Sequence, residues 1–232
     1  MRNIRVLESM KGVLSGTQLA DTSLVVKTYQ WVLASLLATI FGTYLGLQYH
    51  TTISNIQIPL LVGYILVAIG MAFLSNKRPI NAILLFSMTL LLGLLISIPI
   101  HSIVNNLSNG VDIILNTALL TLVATTGLSL YAIKSQRNFS AMRGTLFIVF
   151  LVYFVAGLLN AFWLQMPLLH LFLSATGVII FSLFLLIDTQ SLINREFGET
   201  DPIFYAISIY LDIINIFINL LSLMTSFLGE KD

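Results

Sequence analysis

The stretch SIYLDIINIFINLL, residues 208–221, decides how this chain is read. Asp212 stands among isoleucines and leucines, and Asn215 and Asn219 follow it at helical spacing. The rest of the chain also avoids charge: 57% of its 232 residues are hydrophobic, 9% are charged, and mean hydropathy is +0.96. Soluble domains carry roughly 25% charged residues. Composition therefore makes this an all-α integral membrane protein and places 208–221 inside a spanning helix. An aspartate at the bilayer centre costs roughly 2.5–3.5 kcal/mol on insertion scales. Asp212 must face protein or water, which makes it a functional candidate.

Working outward, a helix needs about 20 apolar residues at 1.5 Å each to cross the hydrocarbon. Seven segments meet that length: 28–49, 56–75, 80–103, 112–133, 143–163, 168–189 and 203–228. The breaks between them carry turn chemistry, as in SNKRP, NNLSNG, KSQRN and NREFGETDP. The runs lack the two-residue alternation of a membrane barrel. Residues 1–27 hold four basic and two acidic side chains and no long apolar core. They read as a loose cytoplasmic arm rather than a cleavable signal peptide, and residues 28–232 as one membrane domain. With the N-terminus inside, ten of the eleven basic residues fall on inner segments, and only Lys231 falls outside. That places the C-terminus on the opposite side.

Several function classes are excluded. With no cysteine there is no disulfide, thiol catalysis or thiolate metal site. A net charge of +1 with no basic stripe argues against nucleic acid. No Ser–His–Asp order, HExxH or phosphate loop is present, so an enzyme is not expected and no cofactor is implied.

Two acids remain within apolar surroundings, Asp188 near the inner end of the sixth span in FSLFLLIDTQ and Asp212 well inside the seventh. Along the seventh span Ser208, Asp212, Asn215, Asn219, Ser222 and Ser226 repeat at intervals of 4, 3, 4, 3 and 4, which is one face of a helix. Serines and asparagines on such a face act as interhelical glue. A carboxylate is a far costlier adhesive, so Asp212 is read as a site. If Asp188 and Asp212 approach, they cannot both ionise cheaply and would share a proton. Such a pair senses pH and binds a hard cation, calcium for example, through oxygen. Lys77, Arg78 and Arg195, all predicted at the inner face, are the candidate basic partners. Asp212 lies about 15 Å deep at 1.5 Å per residue, so contact with Asp188 near the boundary requires an inner vestibule or a tilted helix.

Weaker features are His50, His101 and His170 at predicted outer ends, read as caps or water-facing groups, with a proton or metal site as the alternative. Gly42 and Gly46 carry GxxxG spacing in the first span. Pro99 and Pro167 mark bends or starts, and Asp112 suits a helix N-terminus.

The stretch IDTQSLINREFGETDPIFYAISIYLDIINIFINLLS, residues 187–222, closely resembles the C-terminal signature of the transmembrane Bax inhibitor motif family. An aspartate ends the sixth helix, a loop with GE and DP follows, and LD, IN and LL open the seventh. The first five spans agree mainly in hydropathy and number. The resemblance implies a central seventh helix between two three-helix layers. It also implies that Asp188 and Asp212 form the family's proton-sensitive latch near the cytoplasmic side, associated in bacterial members with a pH-dependent calcium leak. A bacterial inner-membrane location goes with it. Some bacterial relatives instead associate with a membrane-anchored AAA protease, for which residues 1–27 would be the handle. The chain departs from the pattern at Asn76, where relatives place an arginine, and at Asn116, where some carry an acid.

Overall fold

The computed structural model describes the chain except for residue 1, residues 75, 76, 78, 197, 199 and 200, and residues 230–232; the side chains of 2–22 and 72 also lie outside the description. Within it the chain is helical: α1 Arg2–Gln48, α2 His50–Asn55, α3 Gln57–Leu74, α4 Ile80–Asn106, α5 Gly110–Lys134, α6 Arg143–Leu159, α7 Pro167–Asn194 and α8 Pro202–Leu228. A 3₁₀ turn, Ser140–Met142, precedes α6, and a π turn, Asn160–Leu164, follows it. The polar arm expected to be loose is helix, continuous with the first span.

Six helices are long and apolar enough to cross a membrane: Ser23–Gln48, Ile80–Asn106, Gly110–Lys134, Ser140–Leu164, Pro167–Asn194 and Pro202–Leu228. The second of the seven expected spans is a shorter apolar helix over Gln57–Met71. An all-α multi-pass membrane architecture follows, with six full-length spans among the described residues.

The helices form two groups around α8. In one, α4 packs on both α1 and α3; in the other, α7 packs on both α5 and α6. Between them α8 touches α1, α4, α5 and α7. Its Ala206, Ile209, Tyr210 and Ile216 are wholly buried, as the core of a helix enclosed by neighbours should be. The seventh predicted span is thus the central one.

The α1–α4 seam shows what close packing asks of the sequence. A Cβ on Gly42 would come 2.5 Å from the Leu90 carbonyl oxygen, and one on Gly93 would come 2.2 Å from that of Thr39. A Cβ on Gly46 would overlap the Ser97 side chain. Only glycine lets these backbones meet, so the Gly42/Gly46 spacing marks a real helix contact. Pro99 lies inside α4, and Pro167 opens α7 as its first residue.

Polar contacts define the two ends of the bundle. At one end Gln190 at the foot of α7 receives the Phe139 amide at 2.7 Å and donates to the Arg137 carbonyl at 2.6 Å. There too Asp201 caps α8, accepting from the Ile203 amide through Oδ1 and from buried Asn81 of α4 through Oδ2 at 2.7 Å. The Asp201–Pro202 pair is a helix start in its own right, an acceptor at the N-cap with proline locked at the first turn. This end carries Lys77, Lys134, Arg137, Arg143 and Arg195 and is called the basic end. At the other, the histidine end, Asn109 donates to the Leu228 carbonyl, and the rings of His50 and His101 stack at 3.5 Å.

Candidate functional site

The polar face of α8 divides its neighbours. Tyr210 points to the α1 side, its hydroxyl 2.7 Å from that of Thr39. Ser208, Asp212, Asn215, Asn219 and Ser222 instead line a single crevice of about 760 Å³ between α6, α7 and α8, with Tyr64 of α3 reaching its wall. Asp188 lines the same crevice. At the basic end it adjoins a smaller cavity of about 570 Å³, to which Arg143, Asp188, Ser191 and Ser208 contribute. The two aspartates therefore line one crevice without hydrogen-bonding each other. A vestibule of this kind is what the depth difference between them requires.

Asp212 is 5% exposed, and its Oδ2 has no hydrogen-bond partner among the described residues. A buried ionised oxygen without a partner is costly. A carboxylate oxygen so placed has the chemistry to accept a proton or a hard cation.

Asp188 has a partner. Its Oδ1 lies 3.6 Å from Nη2 of Arg143, which also stands 3.5 Å from Oε2 of Glu196 and donates to the Ser191 hydroxyl. That hydroxyl is 2.7 Å from the Ile187 carbonyl and 3.1 Å from Glu196 Oε2. One guanidinium on the first residue of α6 thus serves two carboxylates at the foot of α7. Sequence reasoning counted Arg143 for orientation and passed over it for the site. The signal that would have found it is topological: consecutive spans five and six run antiparallel, so the first residue of one faces the last turn of the other. Of the expected basic partners, Lys77 is exposed, Arg195 caps the end of α7 in the left-handed region with φ 48°, and Arg78 lies outside the described residues. Asn76 also lies outside them, and Asn116 is exposed on α5, away from the crevice.

The remainder of the stripe is partly self-bonded. Asn215 donates to the Leu211 carbonyl at 2.7 Å, Asn219 to that of Asn215 at 2.8 Å, and Ser226 to that of Ser222 at 2.8 Å. Asn219 also accepts from the Tyr153 hydroxyl of α6 at 3.1 Å. The three histidines separate. His50 and His101 stack on each other, whereas His170 lines the crevice. Among the described residues no three metal-ligating side chains gather.

Comparison with known proteins places the chain. A family model described as inhibitor of apoptosis-promoting Bax1 matches residues 22–229. An uncharacterised protein of Campylobacter jejuni is 36% identical, over 91% of this chain and 92% of that protein. An uncharacterised membrane protein of Vibrio cholerae is 35% identical over 68% of this chain and 71% of its own length. Protein lifeguard 4 of the mouse, Mus musculus, is 30% identical over 71% of this chain and 68% of its own. The chain belongs to the Bax inhibitor family of multi-pass membrane proteins.

Proposed function

We propose that this member of the Bax inhibitor family is a proton-regulated leak pathway for cations, calcium foremost, and not an enzyme. The observation that carries the reading is the single crevice that holds Asp188, Asp212 and the polar stripe of α8. Arg143 closes its basic end by neutralising Asp188. A divalent cation competes with that guanidinium for the carboxylate, because hard cations take oxygen ligands. A proton on the aspartates removes the charge that holds either of them. The basic end faces the cytoplasm, by the excess of lysine and arginine that inner loops carry, and the membrane is the bacterial inner membrane.

The test is calcium flux into liposomes holding the purified protein, at about pH 6 and pH 8, the interval in which histidines and perturbed carboxylates titrate. Wild type is expected to leak in a pH-dependent manner, and Asp212→Asn to lose that dependence. No flux above empty liposomes at either pH overturns the reading. The function would then rest on a membrane partner, such as a membrane-anchored protease, gripped by residues 1–27.

A further inference from the structure

The crevice runs well past the aspartates. Along α7 it extends from Asp188 to His170, eighteen residues, or about 27 Å at 1.5 Å each. That is nearly the roughly 30 Å of a hydrocarbon core. Its titratable side chains are Tyr64 from α3, Tyr153 from α6, His170 and Asp188 from α7, and Asp212 from α8. Among the described residues no lysine or arginine lines it, and Arg143 stands only in the adjoining cavity.

At the far end the groups are organised. Nε2 of His170 lies 2.8 Å from the Ser222 hydroxyl, which lies 2.8 Å from that of Ser174. Ser174 in turn donates to the His170 carbonyl at 2.9 Å. His170 is exposed while Ser174 is 3% exposed, so the cluster runs from the surface into the wall of the crevice. Further in, Tyr153 of α6 bridges to Asn219 of α8 across Gly177 of α7, where a Cβ would meet Asn219 Oδ1 at 2.3 Å.

We propose that the His170–Ser222–Ser174 cluster is the far port of the pathway and that the charge carried at position 170 decides whether cations enter it. The proposal rests on the leak reading given above. It makes His170 a selectivity residue: an imidazole and two hydroxyls offer a hydrated cation nitrogen and oxygen. A positive charge there would stand at the far mouth of a crevice whose acidic lining residues are Asp188 and Asp212, with Arg143 only in the cavity beyond.

Two measurements on the full chain test it. In liposomes, calcium flux through His170→Lys is expected to fall about tenfold and through His170→Glu to rise, the change growing at low salt. Asn105→Lys, which adds the same charge on α4 at the same end but off the crevice, should leave flux as in wild type. Because the chain has no cysteine, Asn215→Cys can be labelled selectively with a cationic, membrane-impermeant thiol reagent added at the histidine end. Labelling is expected, and His170→Lys should slow it about tenfold. Wild-type flux with His170→Lys no different from Asn105→Lys overturns the port. If wild type carries no flux, the leak reading fails, and the labelling alone decides the port: an inert Asn215→Cys overturns it, and charge-sensitive labelling upholds it.

Discussion

Two faces of this bundle carry polar side chains, and they use them in opposite ways. At the α1–α4 seam Thr39 sits between the Ser35 carbonyl at 3.0 Å, the Thr89 carbonyl at 3.2 Å and the Tyr210 hydroxyl at 2.7 Å. Thr43 bonds the carbonyls of Thr39 and Gly93 in the same manner. The Thr39 and Thr43 hydroxyls are saturated, the buried Ser35 hydroxyl one turn away has no partner among the described residues, and glycine brings the backbones into contact over them. On the other side of α8 the polar groups line open space, and one oxygen of Asp212 has no partner. Polar residues in a membrane helix therefore say little about function by type alone. What separates the two faces is the nature of the unpartnered group: a neutral Ser35 hydroxyl on the seam, a carboxylate oxygen of Asp212 on the crevice side.

The contrast breaks most visibly at glycine. Gly93→Ala should cost about 3 kcal/mol, the upper range of overpacking, because the added carbon meets a carbonyl oxygen of the facing helix at 2.2 Å rather than a side chain able to move. That is a large part of the stability of a typical domain. Thermal unfolding in detergent, with the yield of folded protein, is the check. A melting point equal to wild type would mean the seam is looser than the geometry shows.

Much of this was legible in the sequence. The apolar runs and their breaks gave the helices, and the spacing of Ser208, Asp212, Asn215, Asn219 and Ser222 gave a face that the fold indeed directs into one crevice. The second expected span, 56–75, corresponds to the helix Gln57–Leu74, whose apolar stretch is shorter than those of the six full-length spans. Arg143 escaped because nothing local to it marks a site: its role appears only when the foot of α7 arrives beside it. The Gly42/Gly46 pair had a recognisable spacing, yet its partner Gly93 stands about fifty residues away on α4, beyond the reach of any local pattern. His170 shares its residue type and its end of the bundle with His50 and His101 but not their surroundings, a difference that no local pattern carries.

A smaller effect sharpens the comparison at the helix common to both faces. Tyr210→Phe removes the hydroxyl on Thr39 and should cost about 1 kcal/mol, the net worth of one buried hydrogen bond. It should leave calcium flux unchanged, because Tyr210 faces the seam and not the crevice. Unfolding and flux measured on the same preparation separate the two. A flux change at unchanged stability would show that the seam is coupled to the pathway.

The smallest effect is expected where the crevice itself has room. Gly157 of α6 lines it, and a Cβ there meets nothing within 4 Å. Gly157→Ala should stay within about 0.5 kcal/mol of wild type, as substitutions away from packed contacts do. Glycine is not required here for close approach, so this position asks whether the crevice is used. Gly157→Trp adds a large ring at a crevice-lining position whose Cβ is free of contacts. Under the leak reading it lowers flux several-fold at a near-wild-type melting point. An unfolded Gly157→Trp would show that the space is smaller than it looks. A folded variant with undiminished flux would show that ions take another route through the bundle, and that the polar stripe of α8 is adhesive after all.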